Sequence, residues 1–372
     1  MQTVSIHLYP ATSIETVAEI WRKLELRIHS SALTCSWDWT EAWLKHYGHL
    51  MPHAFAVGEH AGVPCGIVLV TRGIRHQGPF KIQSRHLGTA GEPETDSVCV
   101  EYNRVLSLPE ERSAFVSALI SELAKDAGWD ELSLDGFASE DAKPFLICEP
   151  RFRIEQRASH LSELSRFNKL GSEILPSFDR ATRRKIRHSM DLLGNVETEW
   201  ANSPEQAMDI FRELTEMHQK RWITAGHPGA FSSAIFRSFH TDIISRFFPR
   251  GSIFLFRARG SNGTIGCIYG FIEEGKILVY QTGMNLTDYS KLTPGRVVHL
   301  LAMQQCTEKG FKEYDFLAGE NSYKRDLSNH SRELLWATFR RPRLKFRVID
   351  SLRTLKRWAA EKGVYGQKSA HG

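Results

Sequence analysis

The sequence is poor in the features that mark special classes of protein. Its six cysteines form no C-x-x-C pair and have no histidine at zinc-like spacing, so we expect reduced, buried thiols. The longest apolar run, Cys65–Val70, is interrupted by Gly66 and is far shorter than the roughly 20 residues of a membrane-spanning helix. The N-terminal stretch lacks a basic end followed by an apolar core, which predicts a cytoplasmic protein without a signal peptide.

The sequence also lacks a large excess of either charge and has no low-complexity tract. Lys and Arg number 48 against 43 Asp and Glu, and this small excess does not by itself imply a nucleic-acid partner. Three histidines, His46, His49 and His53, have neither a cysteine nor an acidic partner nearby, so we predict no metal site. The length of 372 residues indicates two domains rather than one.

The second half contains the clearer structural pattern. Three apolar segments separated by Gly-containing turns predict an antiparallel β-meander, Ser252–Arg259, Thr264–Ile272 and Lys276–Thr282. A helix is predicted to start at Pro294 with Thr293 as its cap, and a last strand over Phe311–Leu317 is expected to lie parallel to the third. Helices at 204–224 and 230–249 precede the meander, so the fold class is α/β.

The first half contains a fainter copy of this pattern. The stretch AKDAGWDELSLDG at 124–136 matches CTEKGFKEYDFLAG at 306–319 in its glycine, aromatic and glutamate positions. Two half-chains of one design would account for the length. We predict a degenerate N-terminal domain, a basic connecting segment, a C-terminal domain with the donor site and a basic C-terminal helix and tail, at 1–165, 166–203, 204–345 and 346–372.

The motifs of the second half resemble the CelD-like and FemAB-like group of GNAT-superfamily acyltransferases. They are a Pro-Gly helix start, a Tyr-Asp-Phe strand, a Gly-Glu turn and a Tyr-Lys pair, at 294–295, 314–316, 319–320 and 323–324. MHQKRW and SWDWTEAW match two further helices of that group. The resemblance implies tandem GNAT-like domains with mixed central sheets flanked by helices. It also implies transfer of an acyl group, usually from acetyl-CoA in cellulose or exopolysaccharide production, or from aminoacyl-tRNA in the FemAB branch.

The donor site is expected at the start of the 294–309 helix, whose free backbone N–H groups and dipole attract phosphate. The residues that we assign to acyl-CoA binding are Thr293, Gly295, Arg296 and Val297. The chain departs from the resemblance here, because GNAT enzymes commonly hold the CoA pyrophosphate with two small residues in a Gly-x-Gly/Ala loop. This segment has the single glycine Gly295 after a proline, and LSLPEERSAF in the first half has none.

Catalytic candidates lie in the predicted strand at 311–317 and just after it. Asp315 lies among apolar neighbours, and it is either a general base with a raised pKa or a structural partner for a basic residue. Lys324 is a candidate for stabilising the oxyanion, although a solvated loop lysine is the ordinary alternative. Glu320 is a rival base, which its position in a turn would expose.

Acceptor-binding candidates come from three places in the sequence. His218 and Trp222 share a helix face with Arg221 at its edge, and core packing explains this pair equally well. The other candidates are Tyr280, Gln281 and Tyr323. The expected acceptor is a small-molecule or sugar- or lipid-linked amine or hydroxyl.

Two basic runs, at 180–187 and 340–347, allow other partners. They can contact RNA or an anionic membrane surface, but no recognisable nucleic-acid module accompanies them, and a solvated helix face is the default interpretation. We therefore keep three hypotheses: an acyl-CoA-dependent transferase, an aminoacyl-tRNA-dependent transferase, and a non-catalytic GNAT-like binding protein.

Overall fold

A computed structural model describes residues 4–28, 32–170, 173–286, 292–319, 321–354 and 358. The helices are α1 Ile14–Arg27, α2 Trp37–Tyr47, α3 Arg112–Lys125, α4 Ser139–Cys148, α5 Ser165–Leu170, α6 Arg180–Leu193, α7 Pro204–Thr224, α8 Ala234–Phe247, α9 Pro294–Glu308 and α10 Ser322–Asp326. The strands are β1 Ser5–Pro10, β2 His53–His60, β3 Val63–Gln77, β4 Phe80–Leu87, β5 Leu106–Ser107, β6 Glu131–Ala138, β7 Arg153–Glu163, β8 Glu197–Trp200, β9 Ile253–Gly260, β10 Gly263–Glu273, β11 Lys276–Met284, β12 Glu313–Ala318 and β13 His330–Arg340. A further helix covers 344–354.

The order of elements repeats in the two halves of the chain. Each half has a strand, two helices, three antiparallel strands, a helix, a strand, a helix and a final strand, with the short β5 added in the first half. Glu131 opens β6 and Glu313 opens β12, as the matching segments of the sequence predict. The predicted meander forms β9, β10 and β11, and β12 lies parallel to β11.

All described strands belong to one sheet, and in its middle the two halves of the chain exchange strands. The order is β1-β2-β3-β4-β6-β13-β7-β12-β11-β10-β9-β8, and β5 pairs with β3. The last strand of the first half, β7, pairs with β12, while β13 from the second half pairs with β6. Each half thus completes its part of the sheet with a strand from the other half. The fold is mixed α/β with a large mixed sheet flanked by helices, and the domain boundaries stay a prediction.

Helices cover both faces of this sheet. The first two helices of each half, α1, α2, α7 and α8, pack in one shared core against strands of both halves. Trp39 of α2 lies at the centre of that core, with its ring 5.2 Å from Phe239 of α8 and 5.5 Å from Phe271 of β10. The opposite face is covered by α3 and α4 in the first half and by α5, α6 and α9 in the second.

The two basic runs are packed differently. Helix α6 is capped by Asp179, whose side chain accepts hydrogen bonds from the N–H groups of Ala181 and Thr182, and the buried face of the helix packs on α9. In the second run, Arg341 and Arg343 donate to backbone carbonyls around the C-terminal end of α3. The first arginines of the tail therefore stabilise a helix end rather than a ligand.

Two sequence predictions need correction. The cysteines are free, but Cys99 and Cys148 are exposed, whereas Cys35, Cys65, Cys267 and Cys306 are buried as expected. The C-terminal helix begins at 344, two residues before the predicted segment at 346–372, and residues 355–357 and 359–372 lie outside the described part of the chain. Among the described helices, none combines the length and the apolar character required to cross a bilayer.

The shared core and exchanged strands predict that the two halves unfold together. Trp39→Ala should lower the free energy of unfolding by about 3–5 kcal/mol, because the cavity lies between the halves. Urea unfolding followed by both fluorescence and circular dichroism should show one transition, shifted as a whole in the variant. The control Leu26→Ala removes an exposed side chain and should leave the midpoint unchanged. Two separate transitions would contradict the prediction.

Candidate functional site

The parallel strands β11 and β12 open a wedge in the second half of the sheet. Their pairing covers three residue pairs, from Lys276–Glu313 to Leu278–Asp315. Each strand then continues with its outer neighbour, β10 or β7, and β12 contains an irregularity at which Leu317 has φ of 59°. Beyond this point the inner backbone groups of β11 lie outside the ladder with β12, so an extended ligand can hydrogen-bond there, whereas the Leu317 and Ala318 groups of β12 are bound by side chains.

Helix α9 begins beside this opening, with the expected donor-binding residues in its first turn. Thr293 is in the cap position, but its side chain does not cap the helix; its hydroxyl lies 3.1 Å from that of Ser189 on α6. Within the part of the chain that the structure describes, a Cβ added at Gly295 would meet only Met284, 3.9 Å away. Arg296 donates to Asp326 of α10, and Val297 is buried in the core. Of the four expected donor-binding residues, Arg296 is thus paired with a carboxylate and Val297 is in the core, which leaves the backbone of this turn as the part suited to an anion.

The corresponding opening of the first half is closed by a side chain. Strands β4 and β6 pair in parallel from Ser84–Glu131 to His86–Ser133. Just beyond, the buried amide of Asn103 donates to the carbonyl oxygens of Leu87 and Asp135, at 2.8 and 3.2 Å. The amide therefore bridges the two strands at the point where the second half opens.

The loop between β4 and α3 reaches from the first half into the second. The Oε2 atom of Glu101 accepts a hydrogen bond from Ala318 N at 2.8 Å, and the Tyr102 hydroxyl donates to Asp315 at 2.5 Å. Cys99 and Tyr102 have φ of 48° and 54°, a conformation that costs non-glycine residues energy and is frequent at functional sites. The loop thus contributes an acid directly at the end of β12.

Asp315 is fully buried at this junction. Its oxygens accept from Ser159 Oγ at 2.7 Å, from Leu317 N at 2.8 Å and from Tyr102, and Arg332 lies 3.8 Å away. Burial raises the pKa of the carboxyl, and these hydrogen bonds act in the opposite direction. Of the two interpretations of Asp315, this environment corresponds to the paired structural carboxylate.

Lys324 is also buried, and it binds the end of the same strand. Its Nζ donates to the carbonyl oxygens of Leu317 and Ala318, at 3.1 and 2.7 Å. Burial lowers the pKa of the lysine, and the charges of Glu101 and Asp315 oppose that shift. An ammonium has three N–H groups, so Lys324 retains donor capacity for a further partner. The rival base Glu320 lies outside the described residues.

A cavity of about 750 Å³ adjoins the end of β12. Its lining includes Ala318 and Gly319, the carboxylates Glu92 and Glu101, and the pair His86–Asp135. Burial raises the pKa of both glutamates from 4.5 to about 7, against hydrogen bonds from Val98 N to Glu92 and from Ala318 N to Glu101. Groups that exchange a proton near neutral pH are suited to acid–base catalysis.

His86 supplies a second titratable group on the cavity wall. Its Nδ1 lies 2.7 Å from Asp135 Oδ2 and its Nε2 lies 2.8 Å from Ser84 Oγ. Burial lowers the pKa of His86, but the Asp135 carboxylate more than offsets it, so the pKa is raised. The cavity wall thus contains both acidic groups and a histidine that gains a proton readily.

The expected acceptor-binding residues do not lie together in one site. Tyr280 and Gln281 lie on β11 beyond its pairing with β12, and the Tyr280 hydroxyl donates to Val98 O of the crossing loop. Tyr323 stacks on His299 at 5.2 Å, and the charge of Arg221 lowers its pKa against the larger effect of burial. Neither Tyr323 nor Arg221 lines the cavity that contains the glutamates.

His218 and Trp222 share a helix face, as predicted, and neither lines the cavity. The Trp222 indole N–H donates to His218 Nε2 at 2.9 Å. Burial lowers the pKa of His218 to about 4, so the ring is neutral. This pair has the satisfied packing of the ordinary alternative. In the histidine cluster, His46 instead contacts Asp242 at 3.2 Å, and no group of metal ligands occurs among the described residues.

Sequence reasoning missed the loop residues Glu92, Glu101, Tyr102 and Asn103. The segment LGTAGEPETDSVCVEYN at 87–103 has no periodic apolar pattern that would position it in the fold. Its length was the available signal, because loops of more than about 12–15 residues are uncommon and are often functional.

The raised pKa values predict a pH-dependent stability difference. In the folded state Glu101 stays protonated to higher pH, so its contribution to the free energy of unfolding falls as pH rises from 4.5 to about 7. Glu101→Gln should therefore gain about 1–3 kcal/mol relative to the native chain between about pH 5 and pH 7.5. Urea unfolding of both proteins at the two pH values measures this difference. The buried histidines are the same in both proteins, so their titration does not affect the difference in the free energy of unfolding. A difference that stays constant between the two pH values would refute the raised pKa of Glu101.

Comparisons with known proteins agree with the second-half geometry. Residues 176–325 match the family model described as an acetyltransferase (GNAT) domain. No curated protein matches the sequence. The matched segment includes α6, α9, the β11–β12 opening and Lys324, so the similarity to an acetyltransferase (GNAT) domain covers the part of the chain that forms the opening.

Solved structures resemble the whole chain in fold. The crystal structure of FemX is 12% identical with a TM-score of 0.53, covering 86% of this chain and 95% of that chain. The C-terminal domain of a putative lysylphosphatidylglycerol synthetase from Agrobacterium fabrum is 11% identical, with a TM-score of 0.53 and coverage of 88% and 92%. L-PGS from Bacillus licheniformis is 10% identical, with a TM-score of 0.50 and coverage of 88% and 98%. Identities this low speak for the fold alone.

Proposed function

We propose that the chain is a cytoplasmic acyltransferase that uses acetyl-CoA or another acyl-CoA. Its acceptor is an amine or hydroxyl of a sugar-derived or envelope-related molecule, in exopolysaccharide or cellulose production. The observation that carries the proposal is the opening between β11 and β12, with the Glu101 carboxylate at its end and a cavity of about 750 Å³ beside it. The match of residues 176–325 to the acetyltransferase domain supports the reaction class.

The donor occupies the wedge between the two strands. The amide groups of the CoA arm pair with backbone groups that β11 leaves outside its ladder with β12. The phosphates lie at the first turn of α9, where backbone N–H groups and the helix dipole attract anions. Among the described residues, a Cβ added at Gly295 makes only an ordinary contact with Met284, so a phosphate can approach the backbone closely. The thioester then lies near Gly319 and Lys324.

The acceptor enters from the cavity and reacts at the thioester carbonyl. Its nitrogen or oxygen forms the new bond to carbon, and the Glu101 carboxylate takes the proton that the nucleophile loses. The Lys324 charge stabilises the oxyanion, and the C–S bond breaks to release CoA, which takes up a proton as a thiol. Asp315 does not touch the reacting atoms; it positions Tyr102, and with it Glu101, against β12.

Removal of the proposed base should lower turnover strongly. Glu101→Gln should reduce kcat by roughly 10²–10⁴-fold, because a general base contributes about that much. The native rate should also rise with pH up to about 7 and the variant should lose this rise. Release of CoA thiol measured with candidate amino sugars provides the assay. Glu110→Gln, an exposed matched control outside the cavity, should keep the native rate and profile. An unchanged pH profile in Glu101→Gln would exclude Glu101 as the base.

Calorimetric titration with acetyl-CoA, longer acyl-CoAs and free CoA tests the donor. Binding is expected in the native chain and in Gly295→Ala, since a Cβ at this position meets no close neighbour. Gly295→Trp should abolish binding without unfolding the protein, because the bulky ring covers the first turn of α9. Absence of binding to every CoA species would exclude the acyl-CoA donor.

A second candidate is a FemAB-like aminoacyltransferase that uses aminoacyl-tRNA. The observation in its favour is the basic face of α6, which lies beside the start of α9 through the contact between Ser189 and Thr293. Arg180, Arg184, Lys185 and Arg187 are exposed on this helix, where they can contact nucleic-acid phosphates. Transfer from aminoacyl-tRNA without any CoA binding would select this candidate. A non-catalytic binding protein would show no turnover and no response to Lys324→Ala or Asp315→Asn.

A further inference from the structure

The helix over 344–354 is apolar on two sides. Its inward side is anchored by Phe346 and Ile349, which are buried against Ile82 of β4. Its outward side presents Leu344, Val348 and Leu352, which are 77%, 46% and 48% exposed. These three residues are spaced by four and form one stripe along the helix. Three regularly spaced aliphatic side chains on the outside of an anchored helix are not explained by the fold of the chain.

Basic residues accompany this stripe. Residues 340–358 contain eight Lys or Arg and one acid, Asp350. Arg341 and Arg343 bind carbonyls near the end of α3, as described above, whereas Arg347 and Arg353 are exposed on the helix itself. Trp358, a residue type that favours the boundary between lipid and water, is 55% exposed. The combination of apolar stripe, cations and tryptophan is typical of helices that lie on anionic bilayers.

The helix also lies next to the mouth of the cavity. With its amide turned, the Gln77 side chain accepts from Arg353 Nε at 3.0 Å, and Gln77 follows closely on Ile74 and Arg75, which line the cavity. On the other side, Arg153 of β7 lies 3.3 Å from Asp350. A surface that contacts the outward face of the helix would therefore lie beside the cavity opening.

We propose that the outward face of this helix docks on an anionic lipid bilayer. The stripe of Leu344, Val348 and Leu352 enters the headgroup region, and the exposed Arg347 beside Val348 lies among the lipid phosphates. A protein partner is the weaker alternative, because three side chains expose far less than the roughly 1,000 Å² of a stable protein interface. The proposal is independent of the acyl-transfer chemistry.

Flotation of the full chain with vesicles tests the docking surface. The chain should float with phosphatidylglycerol-containing vesicles, bind phosphatidylcholine vesicles far less, and dissociate as salt is raised. The triple variant L344S/V348S/L352S should bind the anionic vesicles at least about tenfold more weakly, because it loses the inserted apolar groups. The control Leu26→Ser, which changes an 83% exposed leucine on α1, should bind like the native chain.

Three results would overturn the proposal. The first is equal binding to neutral and anionic vesicles, and the second is native-like binding by the triple variant, which would assign binding to another basic surface such as α6. The third is a set of two observations. Light scattering would show that the native chain is a dimer and the triple variant a monomer, and the native chain would not bind vesicles. Circular dichroism melting should confirm that all variants are folded, since the altered side chains are exposed.

Discussion

One buried carboxylate connects the parts of this protein on which its candidate site depends. Asp315 accepts hydrogen bonds from the loop residue Tyr102, from Ser159 of β7 and from Leu317 of its own strand. A buried carboxylate without partners is costly, so these elements must meet at one point for the charge to be satisfied. That point lies at the last pair between β11 and β12, where the strands separate. The same interaction thus stabilises the junction of the halves and fixes the start of the opening.

The two halves exchange the strands β7 and β13, but they differ at the point where their parallel strands separate. Each half has the same order of elements, but Asn103 bridges the strands of the first half where the second half stays open. The loop that contains Asn103 also carries Glu101 to the end of β12. The first half therefore contributes side chains to an opening that belongs to the second. Repetition followed by such specialisation explains why a chain of this length has one candidate site.

The accuracy of the sequence predictions follows the strength of the local patterns. Pro294 and the Gly-containing turns are local signals, and α9 and the meander occur where they were expected. The two central strands β7 and β13 gave no such signal, because β7 is polar at most positions and neither strand alternates regularly between polar and apolar residues. Arg157 of β7, for example, lies over the Trp336 ring of β13 at 4.2 Å. In the sequence such an arginine looks like part of a polar segment, because the ring that it contacts lies on another strand.

By itself the sequence determined the fold class, the repeat and the elements of the second half, because these depend on periodicity and turn residues that act within a few positions. It also supplied Asp315 and Lys324 as notable residues, through a resemblance rather than through geometry. Only the tertiary structure decided which acid meets the end of β12, since Glu101 is separated from it by more than 200 residues of chain. The raised pKa values of Glu92 and Glu101 likewise arise from burial beside the cavity, which no local pattern encodes.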